Sequence, residues 1–250
     1  MSGHSKWSTI KRKKGKADAE RGQIFTKLIK EITIAARDGG GDPTGNSRLR
    51  TAIANAKSEN MPAANIERAI KKGTGELPGV SYEECFYEGY GPGGAALLIQ
   101  VLTDNKNRTT SELRHLLTKY GGNLGEGGCV AWMFETKGQI TIARSAVDED
   151  RLLELSLDAG AEDVDVSSED VFEVYAAVGD FVAVQKAIEA AGIETMSVEL
   201  ARIPSSSVPL DERQGEQFLK LLELLENHDD VQKVHSNFDI PDALMDKLRG

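Results

Sequence analysis

The chain has 250 residues, with 30 Lys+Arg and 40 Asp+Glu, a formal net charge of −10 and 40% hydrophobic residues. This ordinary globular composition excludes a largely disordered, coiled-coil or collagen-like protein, and no apolar run approaches the ~18 residues of a membrane-spanning helix. No apolar segment follows the basic N-terminus, and Cys85 and Cys129 lack metal or disulfide-framework spacing. We therefore expect a cytoplasmic protein without a secretory signal.

The charge is divided between two parts of opposite sign. Residues 1–80 hold 16 Lys+Arg and 8 Asp+Glu, a net charge of +8, which leaves −18 for the remainder. Such segregation indicates a module that binds an anion, attached to a body that repels it. A basic tail that only aids solubility is the alternative, although solubility does not require segregated charge.

The N-terminal part predicts a tail followed by three helices. Residues 1–16 lack apolar periodicity and are expected to be extended or disordered. An amphipathic helix is predicted from Asp18 to the glycines at 39–41, and a second carries its apolar residues between 49 and 56. A third is predicted from Asn60, as N-cap, to Gly73.

Strands and helices alternate after Gly73. The predicted strands are 95–102, 129–134, 139–143, 164–166, 172–175, 197–203 and 231–237, and the predicted helices are 110–120, 148–159, 181–191 and 211–226. Lys137 and Gly138 predict a tight turn, and Pro204 begins a Ser/Pro linker.

The order of these elements predicts an α+β fold of three domains. Residues 139–203 have the β-α-β-β-α-β order of a ferredoxin-like unit. We expect a basic tail and three-helix domain at 1–79, a second split β-α-β domain formed by 80–136 and 206–250, and a ferredoxin-like domain at 137–205 inserted in it. A sequential arrangement is the alternative, but it would leave the last helix and strand with little core.

The search for catalytic chemistry is negative. The four histidines form no metal-binding pair, and neither a nucleophile elbow nor a phosphate-binding P-loop motif occurs. The carboxylates in 82–88 and 148–170 are interpreted as solvated faces and turns. We therefore expect no enzymatic activity, cofactor, metal or small-molecule substrate.

Two loops have compositions that suit a phosphate. The glycine run at 89–94 precedes a strand instead of a helix, so a tight turn is favoured. The loop at 102–109 lies between a strand and a helix, where Lys106 and Arg108 are placed to hold a phosphate. Simple capping of the helix by Asp104, Asn107 or Thr109 is an equal alternative.

The N-terminal part carries the strongest signal for nucleic acid. Lysine and arginine attract phosphates, and Trp7 offers a ring on which an unpaired base can stack, although Trp7 is alternatively a core anchor. The predicted nucleic-acid-binding residues are Lys6, Trp7, Lys11, Arg12, Lys13, Lys14, Lys16, Arg21, Lys27, Lys30, Lys57, Arg68, Lys71, Lys72, Lys106 and Arg108.

Several motifs in order resemble the YebC/PmpR family over essentially the whole chain. They are Gly3-His4-Ser5-Lys6-Trp7, Ile10-Lys11, Ile24-Phe25-Thr26-Lys27-Leu28, Asn60-Met61-Pro62, the stretches 65–73, 87–94 and 102–109, and Gly121-Gly122-Asn123-Leu124 through Trp132 and Phe134. The family also includes the mitochondrial translational activator of a cytochrome oxidase subunit. The resemblance implies three domains, a cytoplasmic location and no catalysis, in probable DNA-binding transcriptional regulators, with other members associated with translation at the ribosome.

The sequence therefore favours a nucleic-acid-binding regulator of gene expression and leaves its target open. The first hypothesis is DNA binding for transcriptional control. The second is binding to ribosomal or transfer RNA as a translation factor, which the dominance of lysine and arginine over base-reading side chains favours. The third is a protein–protein adaptor whose acidic domains bind a partner.

Overall fold

The computed structural model describes Trp7 and residues 18–240, with the side chains of Trp7 and residues 22–240. The helices are α1 (Asp18–Gly39), α2 (Ser47–Ser58), α3 (Ala63–Gly73), α4 (Lys106–Lys119), α5 (Glu149–Asp158), α6 (Phe181–Ala190) and α7 (Glu212–Glu226). The strands are β1 (Glu83–Tyr90), β2 (Ala96–Thr103), β3 (Asn123–Leu124), β4 (Phe134–Ala143), β5 (Asp163–Asp165), β6 (Val171–Ala176), β7 (Thr195–Pro204), β8 (Val208–Pro209), β9 (Val231–Ser236) and β10 (Phe238–Asp239). Three helices and two antiparallel four-stranded sheets with their helices confirm the predicted α+β class.

The three N-terminal helices are confirmed and share a small core. Ile32 of α1, Leu49 of α2 and Ile66 of α3 are buried together. The predicted N-cap of α3 is wrong, because Pro62 occupies the capping position without a side-chain bond. Asn60 instead takes a left-handed backbone with φ 58°, which asparagine tolerates better than most residues.

The first sheet has the strand order β3-β1-β2-β9. Its core lies against α4 and α7, where Leu97, Ile99, Leu113, Phe218 and Leu222 are buried. The glycine run forms a short 3-10 turn, Pro92–Gly94, between the antiparallel strands β1 and β2, so the turn interpretation is confirmed. Strand β1 was not predicted, since its many carboxylates obscure the alternation.

The second sheet has the order β5-β6-β4-β7 and carries α5 and α6. The predicted β-α-β-β-α-β succession is confirmed. The tight turn at Lys137 and Gly138 is wrong, because β4 passes through both residues. Gly138 is required for a packing reason: a Cβ there would lie 2.1 Å from the ring of Phe181.

The connections between these units differ from the prediction in two further places. The predicted Ser/Pro linker at 204–209 is strand at both ends, because β7 extends to Pro204 and β8 is Val208–Pro209. Residues 129–133 form no strand; Ala131–Met133 is a 3-10 helix that leads into β4, which begins at Phe134. Strand β9 returns after the second sheet to pair with β2, so the first sheet is built from two separate parts of the chain. The exact domain boundaries stay a prediction.

Within the described residues, no helix is both long and apolar enough to cross a membrane.

Candidate nucleic-acid interface

Asp230, in the turn between α7 and β9, accepts hydrogen bonds from cations and hydroxyls of three parts of the chain. Lys30 Nζ of α1 lies 2.6 Å from Asp230 Oδ1. Arg108 Nη2 and Thr109 Oγ1, both of α4, donate to Oδ2 at 2.7 Å, and Thr103 Oγ1 donates at 3.2 Å. We call these five residues the Asp230 cluster; it joins the N-terminal helices to the first sheet.

Burial defines the energetics of the Asp230 cluster. Asp230 is 2% exposed and Lys30 is 6% exposed. Burial alone would raise the pKa of the Asp230 carboxyl, but hydrogen bonds from Lys30, Arg108 and Thr109 outweigh it and hold this pKa well below its ordinary value. The same hydrogen bond raises the pKa of the Arg108 guanidinium, because it stabilises the charged form of both partners. Lys30 and Arg108 are therefore already bonded to a carboxylate of the protein itself.

A second internal contact lies at the end of α7. The Trp7 indole N–H donates to Glu226 Oε2 at 3.4 Å, and the ammonium of Lys27 donates to the backbone carbonyl of Glu226. Trp7 is 7% exposed and belongs to the core of the first sheet. The structure thus favours the core-anchor alternative for Trp7, because a buried ring offers no free face to a base.

The loop before α4 also uses its cations internally. Helix α4 begins at Lys106 with Asn105 as its N-cap, so none of the three predicted capping residues fills that position. Lys106 Nζ lies 2.5 Å from Glu83 Oε2 on the surface, and Arg108 also contacts Asp104 at 2.9 Å. The predicted phosphate contact at Lys106 and Arg108 would have to displace carboxylates that already occupy both side chains.

The outer surface of α3 presents cations in a different state. Arg68, Lys71 and Lys72 are exposed and share one side of the helix by their i, i+3, i+4 spacing. We call these three residues the α3 basic face. Among the residues that the structure describes, none forms an ion pair with them or with the exposed Lys57 of α2. They are available to a phosphate.

The remaining predicted residues lie outside the described side chains. They are Lys6, Lys11, Arg12, Lys13, Lys14, Lys16 and Arg21. Their assignment to nucleic acid stays a prediction.

A groove of about 640 Å³ opens beside the Asp230 cluster and is lined in part by Glu112, His115 and His228. Glu112, His228 and Asp230 bring three potential metal-ligand atoms within 4.8 Å of one another. The backbone N–H of Asp230 donates to His228 Nδ1 at 3.1 Å, which places the proton of the neutral ring on Nε2, 3.0 Å from Glu112 Oε2. Neither ring nitrogen then has a free lone pair, and Asp230 is already bonded, so these residues do not suit a metal.

Two family descriptions match successive parts of the chain. Residues 5–76 match the TACO1/YebC protein N-terminal domain, and residues 82–238 match the TACO1/YebC second and third domain.

Bacterial relatives match at full length. The chain is 59% identical over 244 residues to a "Probable transcriptional regulatory protein" of Desulfosudis oleivorans, covering 98% of this chain and 99% of that one. A protein of the same description from Syntrophus aciditrophicus is 58% identical over 249 residues, 99% of each chain.

A solved structure confirms the fold. The crystal structure of the conserved hypothetical protein Aq1575 from Aquifex aeolicus is 49% identical, with a TM-score of 0.81 over 90% of this chain and 93% of that chain. The matches to the family, its relatives and this structure agree with one another along the sequence: the chain belongs to the TACO1/YebC family.

Proposed function

We propose that the protein is a non-enzymatic regulator of gene expression that binds nucleic acid through the α3 basic face and the basic residues that precede α1. The observation that carries the proposal is the availability of Arg68, Lys71 and Lys72, in contrast to Lys30 and Arg108, which are bonded to Asp230. Exposed lysine and arginine on one helix side attract phosphates and release their counterions. The regulator names of the relatives support the same conclusion.

Two observations favour different classes of nucleic-acid target. The names of the relatives favour DNA and transcription as the first candidate. The outer side of α3 favours the second, a translation factor that binds ribosomal or transfer RNA, because its three cations outnumber the one amide side chain there, Asn65. Most protein contacts to nucleic acid go to phosphate and sugar, where lysine and arginine bind without reading the sequence.

The second sheet supports a third candidate, a protein–protein adaptor. Residues 137–205 hold 5 Lys+Arg and 15 Asp+Glu, a charge that repels nucleic acid and attracts a basic protein. We infer a cytoplasmic location for all three candidates, consistent with the free thiols of Cys85 and Cys129.

The test measures binding of the full chain to two labelled probes, a duplex DNA and an RNA hairpin of equal length, by fluorescence anisotropy. A variant with Arg68→Gln, Lys71→Gln and Lys72→Gln is compared with wild type. We expect affinity for at least one probe to fall about tenfold or more at moderate salt. The probe with the higher wild-type affinity assigns the target class.

A matched control removes three exposed cations elsewhere, with Arg213→Gln, Lys220→Gln and Lys186→Gln. It changes the net charge equally and is expected to leave affinity nearly unchanged. Equal losses in both variants would show a general charge effect and contradict the α3 assignment. A wild-type protein that binds neither probe contradicts nucleic-acid binding itself.

A further inference from the structure

The two tryptophans occupy opposite environments. Trp7 is buried, whereas Trp132 is 73% exposed on the 3-10 helix Ala131–Met133. The indole N–H of Trp132 donates to the carbonyl oxygen of Cys129 at 3.1 Å. The polar edge of this ring is therefore satisfied inside the protein, while its faces are open to solvent.

Glu88 holds the loop that carries Trp132. Its side chain, in a residue only 8% exposed, accepts the backbone N–H groups of Gly128 at 2.6 Å, Val130 at 2.7 Å and Ala131 at 2.8 Å. Burial opposes the charged form of Glu88, but these three bonds lower the pKa of its carboxyl below the ordinary value. Three bonds from one anion fix the loop, so Trp132 is presented in advance of any ligand.

An open part of the first sheet separates this loop from the N-terminal helices. Phe86 of β1, Gln100 of β2 and Lys233 of β9 are cross-strand neighbours on the face opposite α4 and α7. Phe86 is 45% exposed, whereas the ammonium of Lys233 is ion-paired with Glu199 of β7. We call these three residues the open sheet face.

The borders of the open sheet face are set by two glutamates on the same side of β1. Glu84 bonds to Arg48 of α2 at 3.1 Å, and Glu88 bonds to the Trp132 loop. They are four positions apart along the strand, a distance of about 13 Å. Both carboxylates are occupied by protein donors, which reduces their repulsion of a phosphate at this face.

We propose that Trp132, with Phe86 on the open sheet face, binds unpaired bases of a single-stranded nucleic-acid segment by stacking, and that Glu88 is the positioning residue. The proposal rests on the proposed function, because the α3 basic face supplies the phosphate attraction. Stacking needs an exposed base face, which a single strand or loop offers and a duplex hides. A protein partner that covers Trp132 is the competing occupant.

The test uses Trp132 as its own reporter. In the full chain with Trp7→Phe, Trp132 is the only tryptophan, and its fluorescence is titrated with single-stranded RNA, single-stranded DNA and a blunt duplex. If Trp7→Phe does not fold, the signal of Trp132 is obtained as the difference between wild type and the Trp132→Phe variant. Quenching by single strands but not by duplex supports the proposal; quenching by RNA alone assigns the site to RNA.

Substitutions complete the test. We expect Trp132→Ala to lower single-strand affinity about tenfold with unchanged duplex affinity, and Trp132→Phe to retain most of it. Glu88→Gln is expected to lower the fluorescence anisotropy of Trp132 in the protein without nucleic acid, because the ring moves more when its loop is no longer held. The same variant is expected to weaken single-strand binding.

Two outcomes separate this proposal from the proposed function. Unchanged single-strand binding in Trp132→Ala, while the α3 variant loses binding, overturns the stacking site alone and leaves the proposed function standing. Absence of any nucleic-acid binding by wild type overturns both.

Discussion

The Asp230 cluster and the α3 basic face use the same residue types for opposite purposes. Lys30 and Arg108 contact a carboxylate that is 2% exposed, whereas Lys71 and Lys72 lie on the outer side of a helix without an ion pair in the described part of the chain. Both sets belong to the predicted nucleic-acid-binding residues. Charge density along a sequence therefore measures how many cations a region has, but not how many remain available to a ligand.

The physical reason is the cost of burying Asp230. A buried carboxylate without partners is strongly unfavourable, so the fold places two cations and two hydroxyls around it. Those cations come from α1 and α4, and their pairing fixes the N-terminal helices on the first sheet. The α3 basic face takes no part in this pairing and stays exposed to solvent.

The largest expected effect is on stability at Asp230. Asp230→Asn leaves Lys30 buried without its counter-charge, and loss of one partner of a buried pair costs about 3–5 kcal/mol. Urea denaturation measures the free energy of unfolding. Asp229→Asn, an exposed neighbour, is the matched control and should change it little. Equal, small effects of both substitutions would show that the cluster contributes no stability.

Trp7 is next in expected size. Trp7→Ala removes a buried ring from the core of the first sheet and is expected to destabilise by about 3 kcal/mol. Trp132→Ala, at the exposed tryptophan, is the control and should leave the melting temperature unchanged. A Trp7→Ala protein that melts like wild type but binds RNA weakly would instead restore Trp7 as a stacking residue.

Acid should weaken the cluster in a defined window. The folded-state pKa of Asp230 is lowered, so its stabilisation is complete above the unfolded value of about 3.9 and is lost as the pH falls below that value. Glu88 contributes in the same direction. We expect the urea midpoint of wild type to fall from pH 7 to pH 3 by more than that of Asp230→Asn. Parallel shifts would place the acid sensitivity elsewhere.

The smallest effect is expected at Lys106. Its contact with Glu83 is exposed at both ends, and such surface pairs commonly contribute nothing measurable. Lys106→Ala should therefore leave the melting temperature unchanged, while Arg108→Ala lowers it because Asp230 loses a donor. A loss of nucleic-acid binding in Lys106→Ala at unchanged stability would revive the phosphate site at this loop.

The sequence predicted the regular helices and the order of the second sheet because their apolar periodicity is strong. It missed β1, where Glu83, Glu84 and Glu88 interrupt the alternation, although Cys85 and Tyr87 do pack against the core. It placed a turn at Gly138, because a glycine that makes room for a ring has the same sequence signal as a glycine in a turn.

The candidate site was predictable only in part. Exposed cations on α3 follow from helical spacing, since Ile66 and Ala69 define the buried side. The sequence could not identify the partner of Lys30, because Asp230 lies 200 residues away. Nothing in the local sequence distinguishes the buried Asp230 from the exposed Asp229 beside it. The burial of Trp7 and the exposure of Trp132 likewise depend on tertiary packing.

The salt dependence of nucleic-acid binding tests the central claim most directly. The logarithm of the binding constant is measured against the logarithm of salt concentration for wild type, the triple variant of Arg68, Lys71 and Lys72, and the control triple variant of Lys186, Arg213 and Lys220. If the α3 basic face contacts about three phosphates of a duplex, the magnitude of the slope should fall by about 2–3 in the first variant and stay unchanged in the control. An unchanged slope in the α3 variant would show that these cations do not contact phosphate and would contradict the account.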